Sequence, residues 1–313
     1  MTRIAFLGTP EVAVPVLADL AARAPVAAVF CNPDRPKGRG RELQAPPVKA
    51  AALGLGLPVH QPTSWKVPET RALWDSLDLD LAIVVAYGHI LPAWMLDSLP
   101  LHAWNLHFSL LPRWRGAAPV NHAILAGDAG LGVSLMRLEP GLDSGPVLAQ
   151  SARPITPEDD AEGLLAVLAG DAAALLAEHL PALLEGTAQP HAQDAARATL
   201  APKLSRDMAR LDPTQPAAVL QRRVRALQPW PGTELNFGGQ SLKVCAVGAL
   251  RPTDLAPGTL AWNRGGAWLA AGDGQAVELR LLQRAGKPVQ PALQALQPWG
   301  PEGLLYVEAG PGI

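Results

Sequence analysis

An asparagine and a histidine stand two residues apart in "NLH", Asn105 to His107, and the apolar-proline turn Ser109-Leu110-Leu111-Pro112 and a pair of arginines follow. Residues two apart in an extended chain face the same way. If the run before them is a strand, Asn105 and His107 project together from its carboxyl end, where open α/β sheets bind ligands. A carboxamide is a neutral donor suited to an oxyanion as it forms, and an imidazole carries protons near neutral pH. The pair suits attack of an amine on a carbonyl. A blander reading is a histidine satisfied by a carbonyl beside an asparagine that caps a turn. Asp143, between glycines in "EPGLDSGPV", is the third candidate. It could orient His107 and hold its proton, as the acid does in triad chemistry, or be an ordinary turn aspartate.

Other candidates are weaker alone. Gly8 in "FLGTPEVA" marks a strand-to-helix turn, but G-x-G-x-x-G is absent, so a tight turn explains it as well as a ligand does. Residues 32–49, "NPDRPKGRGRELQAPPVK", form a stretch longer than the roughly 12 residues most loops reach unless functional or disordered. Its Arg35, Lys37, Arg39, Arg41 and Lys49 could each neutralise a phosphate; a solvated loop is the alternative. No metal is implied: Cys31 and Cys245 fit no ligand spacing, and His60, His89, His179 and His191 are scattered.

These residues need elements to position them. "RIAFLG", "VAAVFC", "LPVHQP", "DLAIVVAYG" and "HAWNLH" read as strands separated by helical runs such as "PEVAVPVLADLAAR". That rhythm predicts a doubly wound, mostly parallel sheet, with "LGVSLMRLE" and "GPVLAQSARP" as a later, antiparallel edge. Thr156-Pro157 should cap and open a long helix ending near Gly186, with Leu164, Leu165, Leu168, Leu175, Leu176, Leu180, Leu183 and Leu184 on its core side. "TAQPHAQDAARATLAPKLSRD" lacks a period and reads as a linker. After it come one helix, stopped by proline, and alternating strands with glycine turns, which predict a small OB-like barrel. The expected division is residues 1–188, a linker at 189–205, and a smaller domain at 206–313.

The 313 residues are 49% hydrophobic and 17% charged, a globular composition. No uninterrupted apolar run reaches the roughly 20 residues of a membrane span, and "MTRIAFLGTPEVAV" reads as a first strand and turn rather than a signal peptide. The two distant cysteines suit a reducing cytoplasm. Net charge is −2, but Lys203 onward carries 12 Lys and Arg against 8 Asp and Glu. That mildly basic end hints at a polyanionic partner.

Taken together and in this order, "FLGTPEVA", the 32–49 stretch, "VVAYGHILP", "NLHFSLLPRWRGAAPVNHAILAGD", "GVSLMRLEPGLDSG", "APKLSRDMARLD" and "VRALQPWPG" resemble the methionyl-tRNA formyltransferase branch of the folate-dependent formyltransferases, from about Arg3 to Gly274. The resemblance implies a Rossmann-like formyltransferase domain followed by an OB-like tRNA-binding domain. It implies transfer of a formyl group from the co-substrate 10-formyltetrahydrofolate to the α-amino group of methionyl initiator tRNA, in a cytoplasmic monomer with no membrane partner. Asn105, His107 and Asp143 would be catalytic. Tyr87, Gly88, Ser109, Leu110, Leu111 and Pro112 would border the folate. Arg35, Lys37, Arg39, Arg41 and Lys203 would meet tRNA. Phe108 stands where the family has a small residue, Leu135 and Leu138-Glu139 vary its usual run, and the tail from Gln297 diverges. Rival expectations are a formyltransferase acting on a nucleotide sugar or glycinamide, a nucleic-acid-binding protein with a degenerate catalytic domain, and a hydrolase that splits the formyl donor.

Overall fold

The computed structural model describes residues 2–37 and 42–308. They divide into two units. One comprises the chain up to Pro119, Gly130–Pro154 and Leu165–Ala201; the other comprises Val120–Ala129, Ile155–Leu164 and the chain from Pro202.

The first unit is built on a seven-stranded sheet. Its strands are β1 (Ile4–Gly8), β2 (Val26–Phe30), β3 (Val59–His60), β4 (Leu81–Val85), β5 (Ala103–His107), β6 (Gly130–Arg137) and β7 (Val147–Pro154). Their order is β7-β6-β5-β4-β1-β2-β3. The first five run parallel, and β6 and β7 add an antiparallel edge. β1 and β4 are buried along their whole length, as continuous apolar runs in a two-sided sheet should be. Helices α1 (Val14–Arg23), α2 (Pro47–Gly54), α3 (Pro68–Ser76) and α4 (Ala93–Asp97) follow strands of the parallel part. On one face Phe30, Trp65 and Trp74 pack ring against ring, with centroids 5.4–5.8 Å apart. Cys31 is buried beside them, and burial pushes its thiol up to about 11.

Gly8 is a packing glycine. A Cβ there would lie 2.8 Å from the Phe6 ring and 3.0 Å from the Val85 carbonyl. Phe108 is buried, so its bulk goes into packing.

Helices α5 (Pro119–Ala126) and α6 (Ala161–Leu184) come next in the chain. Helix α6 begins four residues later than a Thr156 cap would place it. Asp160 caps it by accepting the Gly163 N–H at 2.8 Å, while Asp159 accepts the Thr156 N–H at 2.6 Å and closes a separate turn. By length and mean hydropathy, 1.5, α6 meets the requirement for a membrane span. Here its Leu168, Leu176, Leu180 and Leu183 are buried in the protein, and its Asp171 pairs with Arg153 of β7 at 2.7 Å.

Residues 191–201 are bonded into the first unit. His191 and Val147 exchange backbone hydrogen bonds, and Leu200–Ala201 pairs in parallel with Arg115–Gly116.

The second unit sets helices α7 (Ala217–Leu227) and α8 (Ala292–Leu296) on an antiparallel sheet. Its strands are β8 (Glu234–Phe237), β9 (Gln240–Pro252), β10 (Thr259–Asn263), β11 (Gly266–Ala270), β12 (Gln275–Arg284) and β13 (Gly303–Tyr306), in the order β8-β9-β12-β11-β10-β13. Gly238 and Gly239, both at positive φ, turn the β8–β9 hairpin. Register shifts along β9 against β12 bend the sheet into a half-barrel. Leu220 and Val224 of α7 fill it against Leu242, Leu260, Leu269 and Val277. The divergent tail is part of this core: Trp299 meets Phe237 edge-on at 5.6 Å, and β13 extends the sheet beside β10.

Candidate active site

Asn105 and His107 close strand β5, whose neighbours are β4 and β6. Strand alternation puts both side chains on one side, as the sequence spacing predicts. Leu106 points the other way into the core and is 1% exposed. The Asn105 carboxamide is half-buried, and no described residue hydrogen-bonds it.

His107 is 6% exposed and held from both edges of its ring. Nε2 lies 2.9 Å from the Trp114 carbonyl. A carbonyl only accepts, so Nε2 carries the proton in the neutral ring, and the lone pair sits on Nδ1. Nδ1 faces Asp143 Oδ2 across 3.7 Å. That is too long for a hydrogen bond, so the carboxylate stands beside the ring without bonding it. The backbone N–H of Gly116 donates to the same Oδ2 at 2.8 Å and fixes it.

The segments around this pair are held in unusual conformations. Ala86, Trp114 and Asp143 have φ of 47°, 63° and 47°. Each such non-glycine residue costs on the order of 1–3 kcal/mol and persists only where its surroundings hold it. Two residues in the 191–201 stretch do so. Thr199 Oγ1 accepts the Trp114 N–H at 2.9 Å. Gln193 donates to the carbonyls of Asp143 and Gly145, and accepts two N–H groups of Arg115.

The turn Ser109–Pro112 is pinned from β6 and β7. Ser134 donates to the Ser109 carbonyl and accepts the Leu111 N–H, and Gln150 donates to the Leu111 carbonyl and to Ser134. The Ser109 hydroxyl is spent on the Arg113 carbonyl at 2.7 Å. Leu111 is buried, and Leu110 and Pro112 are half-buried. What this turn offers a ligand is shape and backbone.

Tyr87 and Gly88 follow β4, the neighbour of β5. The Tyr87 ring turns into the core near Trp65, with centroids 6.3 Å apart, and burial pushes its phenol up. Gly88, at φ 84°, carries the chain onward to His89, whose Nε2 meets Asn32 Oδ1 at 2.5 Å. Ile90 and Leu142, 93% and 60% exposed, stand on the two loops that flank the pair.

Arg35 is exposed on a short hairpin, Arg35–Lys37 against Glu42–Gln44. Lys37 lies in the same hairpin, while Arg39 and Arg41 lie outside the described residues. Lys49 is tied down: its ammonium holds both oxygens of Asp34 at 2.7 and 2.8 Å, and Gln61 donates to the same carboxylate. Lys203 is an exposed residue of the second unit. Among the described residues no cluster of three His, Cys, Asp or Glu could hold a metal.

Sequence spacing pointed to Asn105, His107 and Asp143 but not to the groups that hold them. The Trp114 carbonyl, the Gly116 N–H, Thr199 and Gln193 have no motif of their own. Their only sequence trace is the Arg-Trp-Arg-Gly turn at 113–116 and two polar residues in an aperiodic stretch.

A formyl transferase model matches residues 2–180, and a formyl transferase C-terminal domain model matches 203–298. The chain belongs to the formyl transferase family. Its curated relatives include the methionyl-tRNA formyltransferases of Halorhodospira halophila, 47% identical over 94% of this chain and 95% of that one, and of Myxococcus xanthus, 46% identical over 94% of both. Among solved structures, the N-formyltransferase of Helicobacter canadensis in complex with folinic acid and dTDP-3-aminofucose matches at TM-score 0.69 and 15% identity, over 89% of this chain and 99% of that one. HypX from Aquifex aeolicus in complex with tetrahydrofolic acid matches at TM-score 0.63 and 19% identity, over 94% of this chain and 47% of that longer protein. At such identity the structural matches show a shared formyltransferase fold. Asn105, His107 and Asp143 all fall within the span matched by the formyl transferase model.

Proposed function

We propose that this formyltransferase moves the formyl group of 10-formyltetrahydrofolate onto the α-amino group of methionyl initiator tRNA. The observation that carries the reading is the meeting of His107 and Asp143 beside the unpartnered Asn105 carboxamide, in a chain 47% identical to a methionyl-tRNA formyltransferase along nearly its whole length.

The chemistry needs little from the protein beyond placement. An α-amino group, with a pKa near 8, is partly unprotonated at neutral pH and attacks without a strong base. Its lone pair forms the bond to the formyl carbon, and the carbonyl oxygen becomes an oxyanion. Asn105 Nδ2 donates to that oxygen. The nitrogen becomes cationic as it bonds, and its proton passes to His107 Nδ1, the ring atom with the free lone pair. The imidazolium so formed faces Asp143, and Nδ1 then returns the proton to N10 of the folate as the C–N10 bond breaks. Asp143 stabilises the charge on the ring, while the Trp114 carbonyl sets the ring's orientation. Ser109–Pro112 and the backbone at Tyr87-Gly88 border the folate.

Arg35, Lys37, Arg39 and Arg41 in the basic insertion and Lys203 in the second domain are assigned to tRNA phosphates. We divide the chain into a catalytic domain at 1–188, a linker at 189–205 and a tRNA-binding domain at 206–313. The substrates place the protein in the cytoplasm, and one chain carries every group assigned here, so a monomer suffices.

The test is transfer of labelled formyl from 10-formyltetrahydrofolate to methionyl initiator tRNA by the full chain. Label should appear as formyl-methionine after deacylation. Label on an amino nucleotide sugar, or release of formate without an amine acceptor, would replace this reading with one of its rivals.

A further inference from the structure

We infer that Gln193 is a positioning residue for formyl transfer, holding the Asp143 loop at its working distance from His107. The inference rests on the function proposed above. Its basis is how one carboxamide spends its bonds. Nε2 donates to the carbonyls of Asp143, at 2.9 Å, and Gly145, at 2.6 Å. Oε1 accepts Nε and Nη2 of Arg115, at 3.0 and 2.8 Å. Both donors and both lone pairs are in use.

Those contacts join the two segments that make up the proton-handling pair. One segment carries Trp114, whose carbonyl accepts the His107 Nε2–H, and Gly116, whose N–H donates to Asp143 Oδ2. The other is the loop around Asp143, which lies between β6 and β7 and belongs to neither. Gly141, at φ 133°, and Asp143, at φ 47°, give that loop its turn. Its far end is pressed on β6: a Cβ at Gly145 would come within 2.0 Å of the Arg137 carbonyl. Strand pairing does not reach Asp143 itself, and Gln193 supplies the missing ties.

The path is a closed circuit. It runs from His107 to Trp114, along the chain to Arg115, through Gln193 to Asp143, and back across 3.7 Å to His107. Opening it at Gln193 releases the backbone carbonyls of Asp143 and Gly145 and leaves the Gly116 N–H to hold Oδ2 while the loop shifts. A misplacement of about 1 Å can lower a rate by about 10²-fold without touching the substrate.

Two substitutions separate positioning from anchorage. Gln193→Met keeps the length and loses every bond. Gln193→Glu keeps the two acceptor sites for Arg115 but sets a carboxylate against two carbonyls. Steady-state formylation of methionyl initiator tRNA by the full chain gives kcat and both KM values, read at a temperature where circular dichroism shows each variant folded.

Both variants should lose about tenfold or more in kcat, with both KM values within about threefold of wild type. Retention of more than about a fifth of wild-type kcat by Gln193→Glu overturns the inference, because anchoring Arg115 would then suffice. So does a loss carried by KM alone. Wild-type chain that fails to formylate the tRNA fails before any variant is compared. That result removes the function, and this inference with it.

Discussion

His107 presents Nδ1 to Asp143 Oδ2 across 3.7 Å, with the ring's other nitrogen already committed to a backbone carbonyl. The carboxylate is therefore a neighbour for a proton that arrives on Nδ1 during the reaction. The backbone carbonyl is the hydrogen-bond partner of the resting ring. This division of labour predicts different outcomes for changes at each residue.

Asp143→Asn should lower kcat by about tenfold or more, because the charge beside the imidazolium is lost. Asparagine tolerates the left-handed backbone at this position, and its oxygen can still accept the Gly116 N–H. Stability should stay within about 1 kcal/mol of wild type. Parallel kinetics and denaturant melts check this. An unchanged kcat contradicts the charge role, and a large loss of stability contradicts the structural half.

Asn105→Ala should reduce kcat by about 10²–10³-fold, the usual cost of an oxyanion donor. Folate affinity, measured by fluorescence titration, should change little. A near-normal rate would remove Asn105 from the mechanism.

The basic insertion and Lys49 should behave differently in tRNA binding. Replacing Arg35, Arg39 and Arg41 with alanine should flatten the plot of log affinity against log salt by about 0.7–0.9 for each phosphate no longer neutralised. Lys49→Gln should leave that slope alone, because its ammonium is held by Asp34. Equal effects from both changes would contradict the assignment.

The same ion pair predicts a pH effect on stability. Hydrogen bonds from Lys49 and then Gln61 hold the Asp34 carboxyl below its ordinary value of 3.8. A carboxyl with a depressed folded pKa stabilises the protein above its unfolded pKa, and that share is lost as pH falls through the folded value. Melting temperatures should therefore fall more gently for Asp34→Asn than for wild type as pH drops below the ordinary carboxyl value of 3.8. Parallel curves would show that the pair contributes nothing.

Much of this architecture is legible in the order of the residues. The continuous apolar runs at Ile4–Gly8 and Leu81–Val85 form fully buried parallel strands. Two-residue spacing places Asn105 and His107 on one side, and Gly238-Gly239 marks a hairpin. Local signals mislead where two candidates compete. Thr156-Pro157 resembles a helix start, but Asp160, with Gly163 three residues on, makes the better cap.

The supports of the site are not legible in the same way. Gln193 and Thr199 reach partners 48 to 85 residues away, and no periodicity encodes such contacts. A stretch without a helical or strand period reads as a linker, and its lack of period says nothing of which distant groups its side chains bond.

The most direct test is the single-turnover rate of formyl transfer by His107→Ala, with enzyme saturated by 10-formyltetrahydrofolate and methionyl initiator tRNA. The account predicts a rate about 10²–10⁴-fold below wild type, with the tRNA dissociation constant unchanged. Transfer at close to the wild-type rate would mean that the proton travels by another route, and the assignment of the site would fail.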